Sequence, residues 1–167
     1  MIRHATPDDI AALTGIYNEA IAEGGYTGDL EPVTVESRAA WYADHQGKYA
    51  VFVMEVDGLA AGYVALSPYR KGREAFRETC EISYYVYRRY RGRGLGKDLI
   101  ERGKIHAAGA GFKVMVGILL GSNARSIRLL ESFGFSECGR VKMAAKIAET
   151  YDDHVFMSHC FDDRKSA

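Results

Sequence analysis

Cysteine is scarce in this chain and poorly placed for structural use. Cys80, Cys138 and Cys160 are odd in number and contain no C-x-x-C pair, which argues against a disulfide framework and a thiolate zinc site. The histidines offer no metal site either. His4, His45 and His106 stand alone, and the i,i+5 spacing of His154 and His159 puts them on opposite faces of a predicted strand. Net charge is also missing. Lys plus Arg equals Asp plus Glu at 22 each, so no global field draws the chain to nucleic acid or an anionic membrane. No apolar run approaches the ~20 residues of a membrane span, and the opening from Met1 to Asp9 is too polar for a signal peptide. A cytoplasmic protein is therefore expected. Repeats, linkers and low-complexity segments are absent, so the length suits a single domain over residues 1–167.

Glycine, by contrast, is plentiful at 18 residues, and three of them sit in Arg91-Gly92-Arg93-Gly94-Leu95-Gly96. The run Glu81 to Tyr87 before this stretch is aromatic and β-branched enough for a strand, and Lys97 to Arg102 after it reads as a helix. A strand-to-helix turn of this kind aims unpaired backbone N–H groups and the positive helix end at one point, where glycine lets an anion approach closely. Two familiar phosphate loops do not fit. After Gly96-Lys97 the residue is Asp98, not the hydroxyl that a nucleotide hydrolase places on magnesium, and G-x-G-x-x-G fails at Lys97 and Leu99. Between Arg70 and Lys97 nine basic residues face Glu74, Glu78 and Glu81 alone, an excess of six. A polyanionic ligand such as coenzyme A suits that excess.

The remaining pattern is mixed. Ile2–Ala5 reads as a strand, and Thr6 as the N-cap of a helix that begins at Pro7 and stops at Gly24-Gly25. A second helix runs from Thr34 towards Gln46-Gly47, with Trp41 at a core position. Tyr49–Val56 and Leu59–Leu66 form a hairpin about Asp57-Gly58. Residues 67–77 form a basic loop leading to the strand that begins near Thr79. Beyond the Gly-rich helix come a strand over Phe112–Leu119, a helix over Ala124–Ser132 closed by Gly134, and strands over 135–147 and 151–161. The order predicts an α/β (α+β) domain around one sheet.

Arg91 to Gly96 matches R-x-x-G-x-G, the pyrophosphate loop of the GNAT N-acetyltransferases, which the segment closely resembles. Asn123 to Phe135 resembles the second motif of that family, N-x-x-S/A-x-x-L-Y/H-x-x-x-G-F, and the element order is also that of the GNAT fold. The resemblance implies a single mixed, mostly antiparallel sheet of about seven strands flanked by about four helices. It also implies acetyl-CoA as co-substrate, held by Tyr84, Tyr85, Val86, Arg91, Gly92, Arg93, Gly94, Leu95, Gly96, Asn123 and Ser126, with no metal. Leu129 and Phe135 become packing positions, and Asn123 is also an ordinary helix cap. Leu130 departs from the pattern, because many relatives carry there a Tyr or His able to protonate the leaving thiolate.

Within the family, Ala61-Gly62-Tyr63, Ser67-Pro68-Tyr69-Arg70, Arg73 to Glu81 and Tyr151 to Met157 resemble the phosphinothricin and methionine sulfoximine acetyltransferases. The opening helix from Ile16 to Ala20 and Glu31-Pro32 fit them too, whereas Phe76 and residues 24–30 depart from their pattern on the acceptor side. That subgroup places its general base at Glu81, and an N–H near Tyr85 or Val86 would stabilise the oxyanion. Arg73, Phe76 and Arg77 are candidate contacts to a small-molecule amine whose carboxylate needs a cation. The subgroup also implies a homodimer, helped by Val155, Phe156 and Met157 if these are exposed. The alternatives are acetylation of a protein N-terminus or a polyamine, or a coenzyme-binding module without chemistry. Cys80 beside Glu81 lacks a histidine placed in sequence to activate it as a nucleophile.

Overall fold

In the computed structural model, which describes residues 1–161, seven strands form one sheet in the order β1-β2-β3-β4-β5-β7-β6. These are β1 (Ile2–His4), β2 (Val51–Val56), β3 (Leu59–Pro68), β4 (Thr79–Val86), β5 (Val114–Leu120), β6 (Ser136–Ile147) and β7 (Thr150–Cys160). Four α-helices accompany them: α1 (Ile10–Glu23), α2 (Val35–Ala43), α3 (Leu95–Gly109) and α4 (Ala124–Glu131). All strand pairs are antiparallel except β4 with β5. The expected GNAT-like architecture is therefore present.

Local chemistry explains the elements and the few departures. Asp57 and Gly58 both take positive φ, 51° and 75°, the backbone of a two-residue hairpin turn whose twist matches its strands. β3 continues to Pro68, two residues beyond the expected end, because Ser67 and Pro68 still pair with Glu81 and Cys80. At Thr6 the first turn is a 3-10 helix over Pro7–Asp9, and α1 proper begins at Ile10. α2 is shorter than expected. It is capped by Thr34, whose side chain accepts the Ser37 N–H at 3.1 Å.

Asp9 explains the tight entry into α1. Its carboxylate takes the Thr6 N–H at 2.7 Å and both ends of the Arg3 fork at 2.7 and 2.8 Å, while Arg3 Nε reaches Glu55 at 2.9 Å. The Arg3 hydrogen bonds, against an opposing effect of burial, hold the Asp9 carboxyl below its ordinary value. A depressed carboxyl contributes stability above its unfolded pKa of ~3.9 and loses it as pH falls through the folded value. Asp9→Asn is accordingly expected to lower stability by about 1–3 kcal/mol at neutral pH. In urea unfolding the difference from the parent should shrink below pH ~4; a pH-independent difference would show that charge is not involved.

Helices cover both faces of the sheet. Leu13 and Ile16 of α1 pack on Val51, Val53, Tyr63 and Ala65, with Trp41 and Tyr42 of α2 alongside. On the other face Leu99, Ile100 and Ala107 of α3 and Leu130 of α4 meet Phe52, Val64, Leu66, Ile82 and Met115. Val155 and Met157 are fully buried in that second core, so the condition that they be exposed for a partner is not met. Alternation along β7 turns them inward. No helix of the described residues is long and apolar enough to cross a membrane.

Candidate active site

The site begins where β4 and β5 separate. They pair only from Thr79 to Ile82 against Val114 to Gly117, after which β4 stays with β3 as far as Val86 and β5 with β7 as far as Leu120. Tyr87 N–H donates to Ala61 O at 2.9 Å, so the antiparallel alternation turns the Tyr85 amide towards β3 and those of Tyr84 and Val86 into the gap. Of the two amides expected to face an oxyanion, that of Val86 is directed into the gap. That of Tyr85 is not, because β3 claims its N–H. Two cavities meet at this gap, sharing Tyr26, Tyr84, Tyr85, Asn123 and Ser126.

The cavity on the α3 side encloses about 570 Å³. Gly94 caps α3 in the left-handed region at φ 88°, and Gly92 has φ 82°. Among the described residues no protein acceptor meets the backbone N–H of Gly92, Arg93, Gly94, Leu95 or Gly96, the first intrahelical donor being Lys97. Five consecutive free amides at a helix N-terminus make an anion cradle. Lys97, Arg125 and Arg128 add positive charge to its lining, and the donor set fits the phosphates of acetyl-CoA.

Not every expected residue has the expected freedom. Arg91 lines the cradle, but its Nη atoms bind Glu23 at 2.5 and 3.1 Å and its Nε donates to Val86 O at 2.9 Å. It ties the loop to the end of α1. Arg93 lies outside the lining, over the Tyr90 ring at 5.6 Å. Asn123 caps α4, accepting the Ser126 N–H at 3.1 Å, and lines both cavities as well. Leu129 lines the cradle and Phe135 is core.

The cavity on the α1 and α2 side encloses about 600 Å³ and contains Glu81. Glu81 lies on the sheet face of Ser67, Tyr63 and Tyr85, and no hydrogen-bond or ion-pair partner occupies its carboxylate among the described residues. Burial pushes its carboxyl above the ordinary value, which strengthens it as a base at neutral pH. Ser67, its cross-strand neighbour, is oriented by His45. His45 Nδ1 lies 2.8 Å from Trp41 O, a carbonyl that can only accept, so Nε2 accepts from Ser67 Oγ at 2.9 Å. The hydroxyl oxygen keeps its acceptor capacity for the cavity.

Tyr17, Arg38 and Tyr63 complete this wall; none was a candidate site residue, although Tyr17 and Tyr63 lie in stretches that resemble the subgroup. Trp41 is both packed and cavity-lining. Arg73, Phe76 and Arg77 line neither cavity. They belong to an exposed 3-10 turn outside the sheet, where Arg77 meets Glu74 at 3.3 Å and Phe76 stacks edge-on with Tyr69. Leu130 is buried at the strand gap, where a methyl on Gly117 would come within 2.7 Å of it, and it presents no proton. Cys80 is buried on the opposite face with its thiol pushed up to about 12, so it supplies no thiolate. No cluster of metal-ligating side chains occurs among the described residues.

A model of the acetyltransferase (GNAT) family matches residues 13–135. The chain belongs to the GNAT acetyltransferases. Over 163 residues it is 34% identical to the L-methionine sulfoximine/L-methionine sulfone acetyltransferase of Salmonella typhimurium, covering 97% of this chain and 95% of that protein. The crystal structure of a GNAT superfamily phosphinothricin acetyltransferase from Sinorhizobium meliloti in complex with acetyl-CoA superposes with a TM-score of 0.91 at 28% identity, covering 96% and 87% of the two chains. A ribosomal-protein-alanine N-acetyltransferase structure from Brucella melitensis superposes equally well, with a TM-score of 0.91 at 33% identity and coverage of 96% and 99%. As a GNAT enzyme the chain is an acetyl-CoA-dependent acetyltransferase, and the cradle over residues 92–96 is where its sequence and its backbone donors agree.

Proposed function

We propose that this acetyltransferase acylates the amino group of a small free amino acid or amino-acid analogue, by direct transfer while both substrates are bound. The observation that carries the proposal is Glu81, a half-buried carboxylate without a partner among the described residues, at the wall of a cavity that meets the cofactor cradle at the β4–β5 gap. An amine attacks a thioester only as the free base, and Glu81 takes the proton that an ammonium group must lose. Ser67 Oγ accepts a hydrogen bond from the same nitrogen. The Val86 N–H, directed into the gap, meets the negative charge that develops on the thioester oxygen. Leu130 contributes no acid, so the thiolate leaves without a proton from that position. A thiol with a pKa of ~8.5 tolerates this.

Thiol release from acetyl-CoA with a panel of amines tests the reading. Turnover with free amino acids and none with peptide N-termini or polyamines is expected. The reverse order would favour the protein N-terminus, a substrate that the Brucella relative keeps in view, and the absence of thiol release with every amine would leave a coenzyme-binding module.

We further propose a cytoplasmic homodimer. Its apolar contact is expected on the β6–β7 hairpin, where Val141, Met143 and Tyr151 are exposed, in place of the buried Val155 and Met157. Light scattering at micromolar concentration should give twice the chain mass, and a monomer mass would refute it.

A further inference from the structure

Two side chains of opposite charge, neither with an ionic partner, line the same cavity. One is Glu81. The other is Arg38 on α2, only 6% exposed, whose Nε and Nη2 are buried without a hydrogen-bond acceptor among the described residues. Its guanidinium carbon lies 4.0 Å from the centre of the Tyr17 ring and 4.5 Å from that of Trp41. Aromatic faces offset part of the cost of burying this cation. They cannot accept the N–H groups that radiate in the guanidinium plane, and unmade donors on a buried charge are costly. A third orphan is the Tyr63 hydroxyl, buried on the same wall. The fourth such atom among the described residues, Arg102 Nε, is on α3 across the sheet and lines neither cavity.

The free edge of a guanidinium presents two parallel donors, and the planar partner that takes both is a carboxylate. We infer that Arg38, with the Tyr63 hydroxyl as a further donor, binds the α-carboxylate of the acceptor in the cavity whose wall also carries Glu81. This rests on the amino-acid reading above. It also sharpens it. A polyamine would bring positive charge to Arg38, and the N-terminal residue of a peptide carries an amide where the carboxylate is needed, leaving the buried donors unmade. Arg73 and Arg77 are solvated on their outer turn and lack this geometry.

The decisive comparison uses L-methionine sulfone, whose only charges are the amino and carboxylate groups, and its carboxamide. The parent enzyme is expected to prefer the acid, and Arg38→Met to lose about 10- to 150-fold of that preference, the worth of a charge-assisted pair. The loss should fall mainly in KM for the acid. Arg38→Lys should recover part of it, and acetyl-CoA affinity should hold in both variants. Comparing variant with parent at one pH cancels the different basicities of the two amines. Undiminished preference in Arg38→Met, or its loss in Arg73→Ala or Arg77→Ala instead, would overturn the assignment while leaving the amino-acid reading intact. A parent enzyme that acetylates neither compound would remove the amino-acid reading itself. If Arg38→Met does not fold, the parent decides by NMR: the buried Arg38 Nε–H resonance should shift on addition of methionine sulfone and stay in place with the carboxamide. Identical responses to both would sink the inference.

Discussion

In Glu81→Gln, kcat is expected to fall by ~10²–10⁴, the usual effect of removing a general base, while acetyl-CoA affinity is retained. The substitution keeps the shape of a side chain that touches no partner, so lost basicity is the main change. Because burial raises the Glu81 carboxyl above its ordinary value, the parent should lose activity as pH falls through a point higher than that of an exposed glutamate. Below it Glu81 is protonated and cannot accept. The variant should lack that limb and regain part of its rate at raised pH, where the amine arrives deprotonated. Full activity in Glu81→Gln would strip Glu81 of the base role. A tenfold or smaller loss with an unchanged pH profile would make it a positioning group.

Gly94→Val is expected to weaken acetyl-CoA binding by a factor of a hundred or more with little effect on the rest of the fold. Two causes add. At φ 88° a β-branched residue is strained by roughly 1–3 kcal/mol, so the loop is pulled out of the shape that aligns its amides. The space a Cβ would enter holds no protein atom within 4 Å and borders the cavity that Gly94 lines, where a side chain would meet a phosphate held by the five free N–H groups. Each lost charge-assisted hydrogen bond to phosphate is worth about 1.5–3 kcal/mol. Calorimetry reads the affinity and circular dichroism the fold. Binding unchanged by the valine would mean that the cradle does not hold the coenzyme.

The cradle was legible in the sequence because its requirement is stereochemical. Only glycine occupies those φ values at no cost, so the need favours glycine at such positions. The Asp57-Gly58 hairpin was legible for the same reason. Arg38 left no such trace. On α2 it follows Glu36 and Ser37 and reads as one more solvated charge, and only the approach of α1 and the sheet buries it against Tyr17. Arg73 and Arg77 mislead in the opposite sense. They precede Glu81 by a few residues, but the 3-10 turn over Glu74–Phe76 carries them off the sheet before β4 begins. Nearness in sequence counts for little across a turn that leaves the core. Likewise Val155 and Met157 look like a sticky tail until β7 is seen paired on both sides, with alternate residues facing inward.

The tie made by Arg91 has a consequence for binding. Its guanidinium holds Glu23 at the end of α1 and lies 4.7 Å from the centre of the Tyr26 ring, and Tyr26 belongs to both cavities. At the far end of the same segment Asp29 accepts a hydrogen bond from the Tyr17 hydroxyl at 2.7 Å, under the ring that carries Arg38. One stretch of backbone, residues 24–29, thus leans on the coenzyme loop at one end and on the acceptor wall at the other. A displacement of the loop by the first ligand moves the boundary of the second ligand's chamber, and whatever factor one substrate imposes on the other's dissociation constant is returned in equal measure.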